Sequence, residues 1–429
     1  MRLGGRLAAA IEILDDIDTR HRPAADALKD WGLSHRFAGA GDRAAIGNIV
    51  YGALRRRRSS AWLLGNDTAR ARAFGAFMLE NAVSPQSLNA ELDGDRFAPQ
   101  PLDADEVEQI TARNLSDAPN GVRADCPEWC EPLLAESYGT DWVEEASALS
   151  RRPPLDMRVN TLKADRQKVL AVLARSAAAP CRIAPDGIRI PPIEGQGRHP
   201  NVQAEPAFQK GWFEVQDEGS QIVARLAEAE HGMQVLDFCA GAGGKTLALS
   251  AAMQNRGQIF AFDAEKQRLA PIFDRLKRAG CRNVQVLSDP ESLAPLEGQM
   301  DLVLVDAPCT GSGTWRRRPD AKWRLTERQL ENRQAEQQAI LDQASRYVKP
   351  GGRLVYITCS VFREENSDQI AGFLARSPAF KAFDHETLWR KSFPAHAEAA
   401  RIAPAGISLS PLKSGTDGFF FAALLRATG

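Results

Sequence analysis

From residue 7 to about residue 64, apolar side chains return every three or four positions, as in Ile11 and Leu14, Ala25 and Leu28, and Ala45, Ile49 and Leu54. That spacing predicts amphipathic helices. Asp42 stands ahead of Ala44-Ala45-Ile46 as an N-cap, and the helix through Val50 and Leu54 would end in Arg55, Arg56, Arg57 and Arg58, where cations suit its dipole. Residues 82–105, rich in Ser, Pro, Asn, Asp and Gly, read as a loop, with helices following at 105–112 and 130–148. Past Pro153-Pro154 the period shortens, with β-like pieces at 157–159 and 188–190 around a helix at 166–174. From Gly232 onward, strands at 234–238, 258–262, 283–287, 301–305 and 353–357 alternate with helices at 245–254, 265–279, 327–348 and 365–375. A final strand falls at 418–425. Such alternation implies a parallel sheet covered on both faces. The predicted architecture is therefore α/β at 215–429, preceded by a small α+β subdomain at 146–214 and an all-helical domain at 1–145.

The first strand of that alternation runs into a glycine-dense turn, Asp237-Phe238-Cys239-Ala240-Gly241-Ala242-Gly243-Gly244-Lys245-Thr246. Glycines let backbone turn sharply and approach a ligand closely. A phosphate-gripping loop of the form GxxxxGK[ST] needs glycine six residues before Lys245, where Cys239 stands. A nucleoside site instead needs a carboxylate ending the next strand to receive ribose hydroxyls, and Asp263 supplies it. Asp263 would otherwise cap the following helix. Asp237 adds an acid suited to a cationic ammonium and sulfonium, which ranks S-adenosylmethionine above a nicotinamide dinucleotide and both above ATP.

Two thiols follow two strand ends, in Asp306-Ala307-Pro308-Cys309 and in Thr358-Cys359-Ser360. In a parallel α/β sheet these ends face the ligand crevice, so Asp306, Cys309 and Cys359 should converge there. A thiol beside a methyl donor has a specific use. Carbon 5 of cytosine is a poor nucleophile until a thiolate adds to carbon 6 and breaks the aromaticity. Asp306 would serve the base's N3 best if burial kept it protonated.

Composition narrows the class without changing this picture. Seven cysteines, an odd number, and no apolar run near the roughly 18 residues of a membrane span suggest a reduced, cytoplasmic chain. Cys126 and Cys130 have no second pair at zinc spacing, and the six histidines form no HExxH, so no metal is expected. The net charge of −1 conceals an asymmetry: residues 1–75 carry +5, residues 76–149 carry −13 and the remainder +7. The basic runs at 55–58 and Arg316-Arg317-Arg318 are candidates for phosphate contact.

The segments Glu214-Val215-Gln216-Asp217-Glu218-Gly219-Ser220-Gln221, the glycine loop, Asp306-Ala307-Pro308-Cys309-Thr310-Gly311-Ser312-Gly313, Thr358-Cys359-Ser360 and Asp417-Gly418-Phe419-Phe420-Phe421 occur in one order. In them the chain resembles the RNA 5-methylcytosine methyltransferases of the Sun/Nop type, over nearly its whole length. Gly41-Asp42-Arg43 through Ile49-Val50-Tyr51-Gly52 resembles the NusB-like domain fused to bacterial 16S rRNA (cytosine-5)-methyltransferases of the RsmB/Sun type. The resemblance implies a Rossmann-like class I domain in which Cys359 attacks the base, Cys309 assists breakdown of the adduct, and Asp306 and Lys245 complete the catalytic set. Cofactor contacts are implied for Asp237, Cys239, Ala240, Gly241, Ala242, Gly243, Gly244, Lys245, Asp263, Arg268, Asp289, Asp306 and Pro308. Ala242 departs from the proline common in the family, and Asp289 could equally be a turn or helix cap. The implied partner is RNA, 16S rRNA first, with Arg55 to Arg58 gripping phosphates and Arg316 to Arg318, Lys322 and the Trp323 ring beside the target nucleotide. A monomer is expected. A transfer-RNA methyltransferase and an inactive RNA-binding assembly factor are the alternatives.

Overall fold

The computed structural model describes residues 1–193, 195 and 197–428. It divides into two compact units: Met1–Arg152 with Pro192–His199 and Trp315–Leu325, and Pro153–Pro191 with Pro200–Thr314 and Thr326–Gly429. Among the described residues, no helix is long and apolar enough to cross a membrane.

The first unit is helical. Helix Leu3–Arg20 buries Leu7, Ala10, Leu14 and Ile17 on one stripe, packing with Ile46, Val50 and Phe74 in a single core. Helix Ala40–Arg55 starts two residues before Asp42, with Gly39 at the cap. Asp42 is therefore not the N-cap; its carboxylate accepts from Arg6 at 2.9 Å and from the terminal amine at 3.1 Å. Residues 82–105 are not simply a loop. Ser84 caps a helix, Pro85–Leu92, by accepting from the Ser87 amide, and Pro85 fills its first turn, where no N–H is needed. Helix 130–148 is two, Cys130–Tyr138 and Trp142–Ala148, parted at Gly139 with φ +62°.

The arginine run straddles a helix break, between Ala40–Arg55 and Arg57–Leu64. Its side chains have partners within the unit. Arg55 is buried and donates to the Arg316 carbonyl at 3.0 Å, Arg57 pairs with Asp67 at 2.8 Å, and Arg58 with Glu131 at 2.5 Å. Arg56 lies 3.9 Å from the buried Asp125. Glu80 and Glu106 likewise receive Arg152 and Arg70. The acidic stretch 76–149 thus supplies counter-charges to its own unit.

The second unit holds two sheets. Strands β1 (Leu155–Val159), β2 (Ala179–Pro180), β3 (Gly187–Ile190) and β4 (Phe213–Val215) form an antiparallel sheet in the order β2-β3-β1-β4. Helix Arg166–Val172 follows β1, and Val169 joins the core under this sheet. The large sheet contains β5 (Gln234–Asp237), β6 (Gln258–Phe262), β7 (Val284–Leu287), β8 (Met300–Asp306), β9 (Val348–Thr358), β10 (Phe380–Ala382), β11 (Arg401–Ala403), β12 (Gly406–Leu409) and β13 (Phe419–Arg426). Its order is β11-β12-β13-β9-β8-β5-β6-β7, with β10 beside β13. Only β5 to β9 are mutually parallel; β13 runs antiparallel to β9, and the strands beyond it pair antiparallel too. The all-parallel expectation therefore holds for the nucleotide-type half and fails at the edge. Pro271 splits the predicted helix 265–279 into Lys266–Leu269 and Ile272–Ala279. Helix Glu327–Ala344 opens on a Thr326/Gln329 capping box and stops before 348, which is already strand.

Candidate active site

Strand order reverses between β5 and β8: β6 and β7 lie to one side, β9 to the other. Crevices form at the carboxyl ends flanking such a switch point. Asp237 ends β5, Asp306 ends β8, Asp263 follows β6, and Cys359 follows β9.

The glycine turn is held from beneath. Gly241 and Gly243 have φ of +49° and +82°, the left-handed region where a side chain is strained. The Gly241 amide donates to Asp263 Oδ2 at 2.9 Å, and the Glu265 amide to Asp263 Oδ1 at 2.9 Å, so Asp263 ties the turn and the next loop together. Ala240 N–H donates to the Phe262 carbonyl, and the Ala242 carbonyl accepts from Arg275 at 2.7 Å. At Gly241 a Cβ would meet nothing nearer than Arg268 at 3.7 Å and Asp263 at 3.9 Å, which leaves the turn open to a ligand. Asp237 is fully buried. Its Oδ2 accepts from Thr246 Oγ1 at 2.7 Å, while Oδ1 has no partner. Burial, against the pull of the Thr246 hydrogen bond, pushes its carboxyl up to about 7. Burial also pushes the Cys239 thiol well above its ordinary range. Asp289 is exposed and accepts from the Glu291 amide at 3.1 Å, capping the short helix Pro290–Leu296.

The two thiols meet: Cys309 Sγ and Cys359 Sγ are 3.4 Å apart. The Cys359 sulfur, then burial, hold the Cys309 thiol well above its ordinary range. Asp306 is not buried as expected. Its side chain is 33% exposed and its Oδ2 receives Lys245 Nζ at 2.8 Å, while the lysine is itself nearly buried and faces the Phe419 ring. A carboxylate and an ammonium stand together there.

Sequence reasoning passed over the residues that fix the cysteine loops. Glu365 accepts from the Thr310 amide, Gln337 donates to both Glu365 and the Pro308 carbonyl, and Asn366 bonds to Thr358 and Ser360. Their one sequence signal is a polar run, Glu364-Glu365-Asn366, five to seven residues after Cys359.

The segment 315–325 folds with the helical unit. Lys322 is buried there, reaching the Asp125 carbonyl and Ser150 Oγ, and Trp323 donates to the Leu54 carbonyl at 2.6 Å beneath Arg57. Arg316 is buried, and Trp323 is partly buried against the helical core. Buried Asp156, Cys181 and Glu218 also cluster, but Arg189 pairs with both carboxylates at 2.7 and 3.2 Å and supplies the positive charge itself.

Residues 223–425 match the family described as 16S rRNA methyltransferase RsmB/F, and residues 126–192 match the RsmF/B-like ferredoxin-like domain. The chain is 36% identical over 306 residues to Ribosomal RNA small subunit methyltransferase B of Klebsiella pneumoniae subsp. pneumoniae, an alignment covering 70% of this chain and 66% of that protein. The crystal structure of PH0851 superimposes with a TM-score of 0.71 at 25% identity, covering 99% of both chains. A methyltransferase homolog protein from Pyrococcus horikoshii gives 0.58 at 26% identity, over 72% of this chain and 97% of that one. The large-sheet domain accordingly has the Rossmann-like methyltransferase fold.

Proposed function

The chain belongs to the RsmB/F methyltransferase family, and we propose that it methylates carbon 5 of a cytidine in 16S rRNA, in the cytoplasm, through a covalent cysteine adduct. The observation that carries this reading is the pair of sulfurs 3.4 Å apart beside the Lys245–Asp306 ion pair. S-adenosylmethionine is the cofactor the site suits, and when bound it supplies an electrophilic methyl group on a sulfonium. Asp237 fits it because a buried carboxyl oxygen without a partner suits a cationic, hydrogen-donating ligand. Asp263 retains a lone pair on each oxygen for ribose hydroxyls, and the open Gly241 turn admits the nucleoside. Arg268, 3.7 Å from Asp263, closes that side.

The target base must leave its stack to reach such a crevice. Cys359, as thiolate, bonds carbon 6 and makes carbon 5 electron-rich. As that bond forms, N3 takes a proton from the Lys245 ammonium by way of Asp306, whose carboxylate then accepts the N3–H hydrogen bond, and the proton returns the same way when the adduct breaks down. Cys309 keeps its proton while Cys359 is anionic, donating S–H to the neighbouring sulfur. Once Cys359 becomes a thioether, the largest cause of that proton's retention is gone, and Cys309 ionises more readily. It can then take the carbon 5 proton, after which Cys359 departs. This order supports the division of roles that the family resemblance implies.

The helical unit, read as NusB-like, would contribute RNA contacts, the partly exposed Arg56, Arg57 and Arg58 among them. In a test with methyl-labelled cofactor and 16S rRNA, Cys359→Ser should abolish both methylation and capture by 5-fluorocytidine RNA. Cys309→Ser should leave a covalent protein–RNA species. Methylation surviving in Cys359→Ser would overturn the mechanism, and methylation of transfer RNA alone would overturn the substrate.

A further inference from the structure

We propose that Glu365 and Asn366, adjacent in the chain, are positioning residues that set the separation of the Cys309 and Cys359 sulfurs. The inference rests on the two-thiol reading above and adds the device that enforces it. Each residue ties down the neighbours of one cysteine, Glu365 with the help of Gln337. Glu365 Oε1 accepts from the Thr310 amide at 2.8 Å and from Gln337 Nε2 at 2.9 Å, and its Oε2 accepts from Thr310 Oγ1 at 2.5 Å. Gln337 Nε2 also donates to the Pro308 carbonyl at 2.9 Å. The peptides before and after Cys309 are thereby tied to one carboxylate. Asn366 Oδ1 accepts from Thr358 Oγ1 at 2.5 Å, and its Nδ2 donates to the Ser360 carbonyl at 3.0 Å, so the residues flanking Cys359 are held through one hydroxyl and one carbonyl.

One peptide unit joins the two grips, and consecutive Cα atoms are only about 3.8 Å apart. Its carbonyl, that of Glu365, accepts from the buried Tyr356 hydroxyl at 2.7 Å, and Tyr356 belongs to β9, the strand that delivers Cys359. Strand, clamp and both thiol loops therefore form one hydrogen-bonded body.

Two features separate this from ordinary loop closure. Asn366 precedes helix Ser367–Arg376, where asparagine is favoured as a cap, yet its side chain makes no cap bond and turns to the Cys359 loop instead. Glu365 is fully buried and, among the described residues, makes no ion pair. Burying a carboxylate without a cation is costly, and glutamine would satisfy the same donors once the Thr310 hydroxyl reversed. The charge has an effect that glutamine lacks: it is among the groups opposing ionisation of Cys309.

The experiment uses the full chain and diamide, an azo oxidant. As the two thiols lose two protons and two electrons to form a disulfide, the azo bond is reduced to a hydrazine, so the rate reports sulfur proximity without any methyl transfer. The Cys309–Cys359 bond is identified by peptide mass, with Cys359→Ser as the blank. Glu365→Ala and Asn366→Ala should each slow it roughly tenfold, and should lower kcat on RNA about 100-fold while leaving KM nearly unchanged, as expected for misplacement of order 1 Å. Glu365→Gln should restore the disulfide rate and shift Cys309 alkylation by iodoacetamide to lower pH. Wild-type disulfide rates in both alanine variants would overturn the proposal, as would failure of Glu365→Gln to restore the rate. If disulfide rates follow expectation but Cys359→Ser still methylates RNA, the positioning stands and the adduct mechanism falls.

Discussion

Replacing Asp237 by Asn tests the least ordinary group in the crevice. Asparagine keeps an oxygen for Thr246 Oγ1, now 2.7 Å from Asp237 Oδ2, and removes the charge. The folded carboxyl titrates near about 7 against a reference of 3.8, with burial the chief cause. Between those values the folded state holds a proton that the unfolded chain has released, so stability must fall as pH rises. At about 1.4 kcal/mol per tenfold, a single such group removes roughly 2 kcal/mol between pH 5 and pH 7. Asp237→Asn lacks that slope. Urea unfolding of wild type and variant at the two pH values isolates the difference, because every other titrating group is common to both. The variant, without ligand, should gain about 2 kcal/mol on the wild type over that interval.

The same group links pH to ligand affinity in the opposite sense. A cationic ligand favours the ionised carboxylate, so binding near neutrality should release a fraction of a proton, and S-adenosylmethionine affinity should rise from pH 6 to pH 8. Calorimetry in buffers of different ionisation enthalpy measures the released proton directly. In Asp237→Asn both the release and the pH dependence should vanish and affinity should fall. Parallel stability curves for the two proteins, or equal proton release, would refute the assignment of the high-titrating group to Asp237.

Other consequences are simpler to check. Gly243→Ala forces a side chain onto φ +82° and places its Cβ 2.6 Å from Ile272 Cγ1, so it should lose about 1–3 kcal/mol of stability in thermal unfolding and weaken cofactor binding. Lys245→Met strips the counter-charge from Asp306 and should lower kcat about 100-fold in the methyl-transfer assay, with little change in fold by circular dichroism. Lys322→Met leaves the buried Asp125 carbonyl and Ser150 Oγ without their shared donor and should destabilise by about 1–3 kcal/mol. Burial depresses the Lys322 amine to about 8, so from there to 10.5 the unfolded lysine holds the extra proton, and the wild type should gain on the variant as pH rises through that window.

What the chain discloses before folding depends on whether a residue's role is local. The β5 turn was legible because glycine spacing and a carboxylate at the next strand end are properties of one βαβ unit, and Asp237, Asp263, Asp306, Cys309 and Cys359 all stand at carboxyl ends of its sheet. The partners of Arg55 and Arg58 were not legible because they lie far off in sequence. Arg58 finds Glu131 seventy-three positions away, and Arg55 finds a carbonyl 261 positions away. Ser84-Pro85 misled for a different reason: the same pair that starts a turn also starts a helix, and only packing of Leu88 and Leu92 decides between them. Glu365 and Asn366 were invisible for a third. Their partners, Thr310 and Thr358, belong to two strand ends that only the parallel β8–β9 register brings side by side, with Asp306 opposite Ile357. Reading chemistry from strand ends therefore finds the reacting groups. The groups that hold them at a working distance follow from the register between strands, which period and spacing along one strand do not encode.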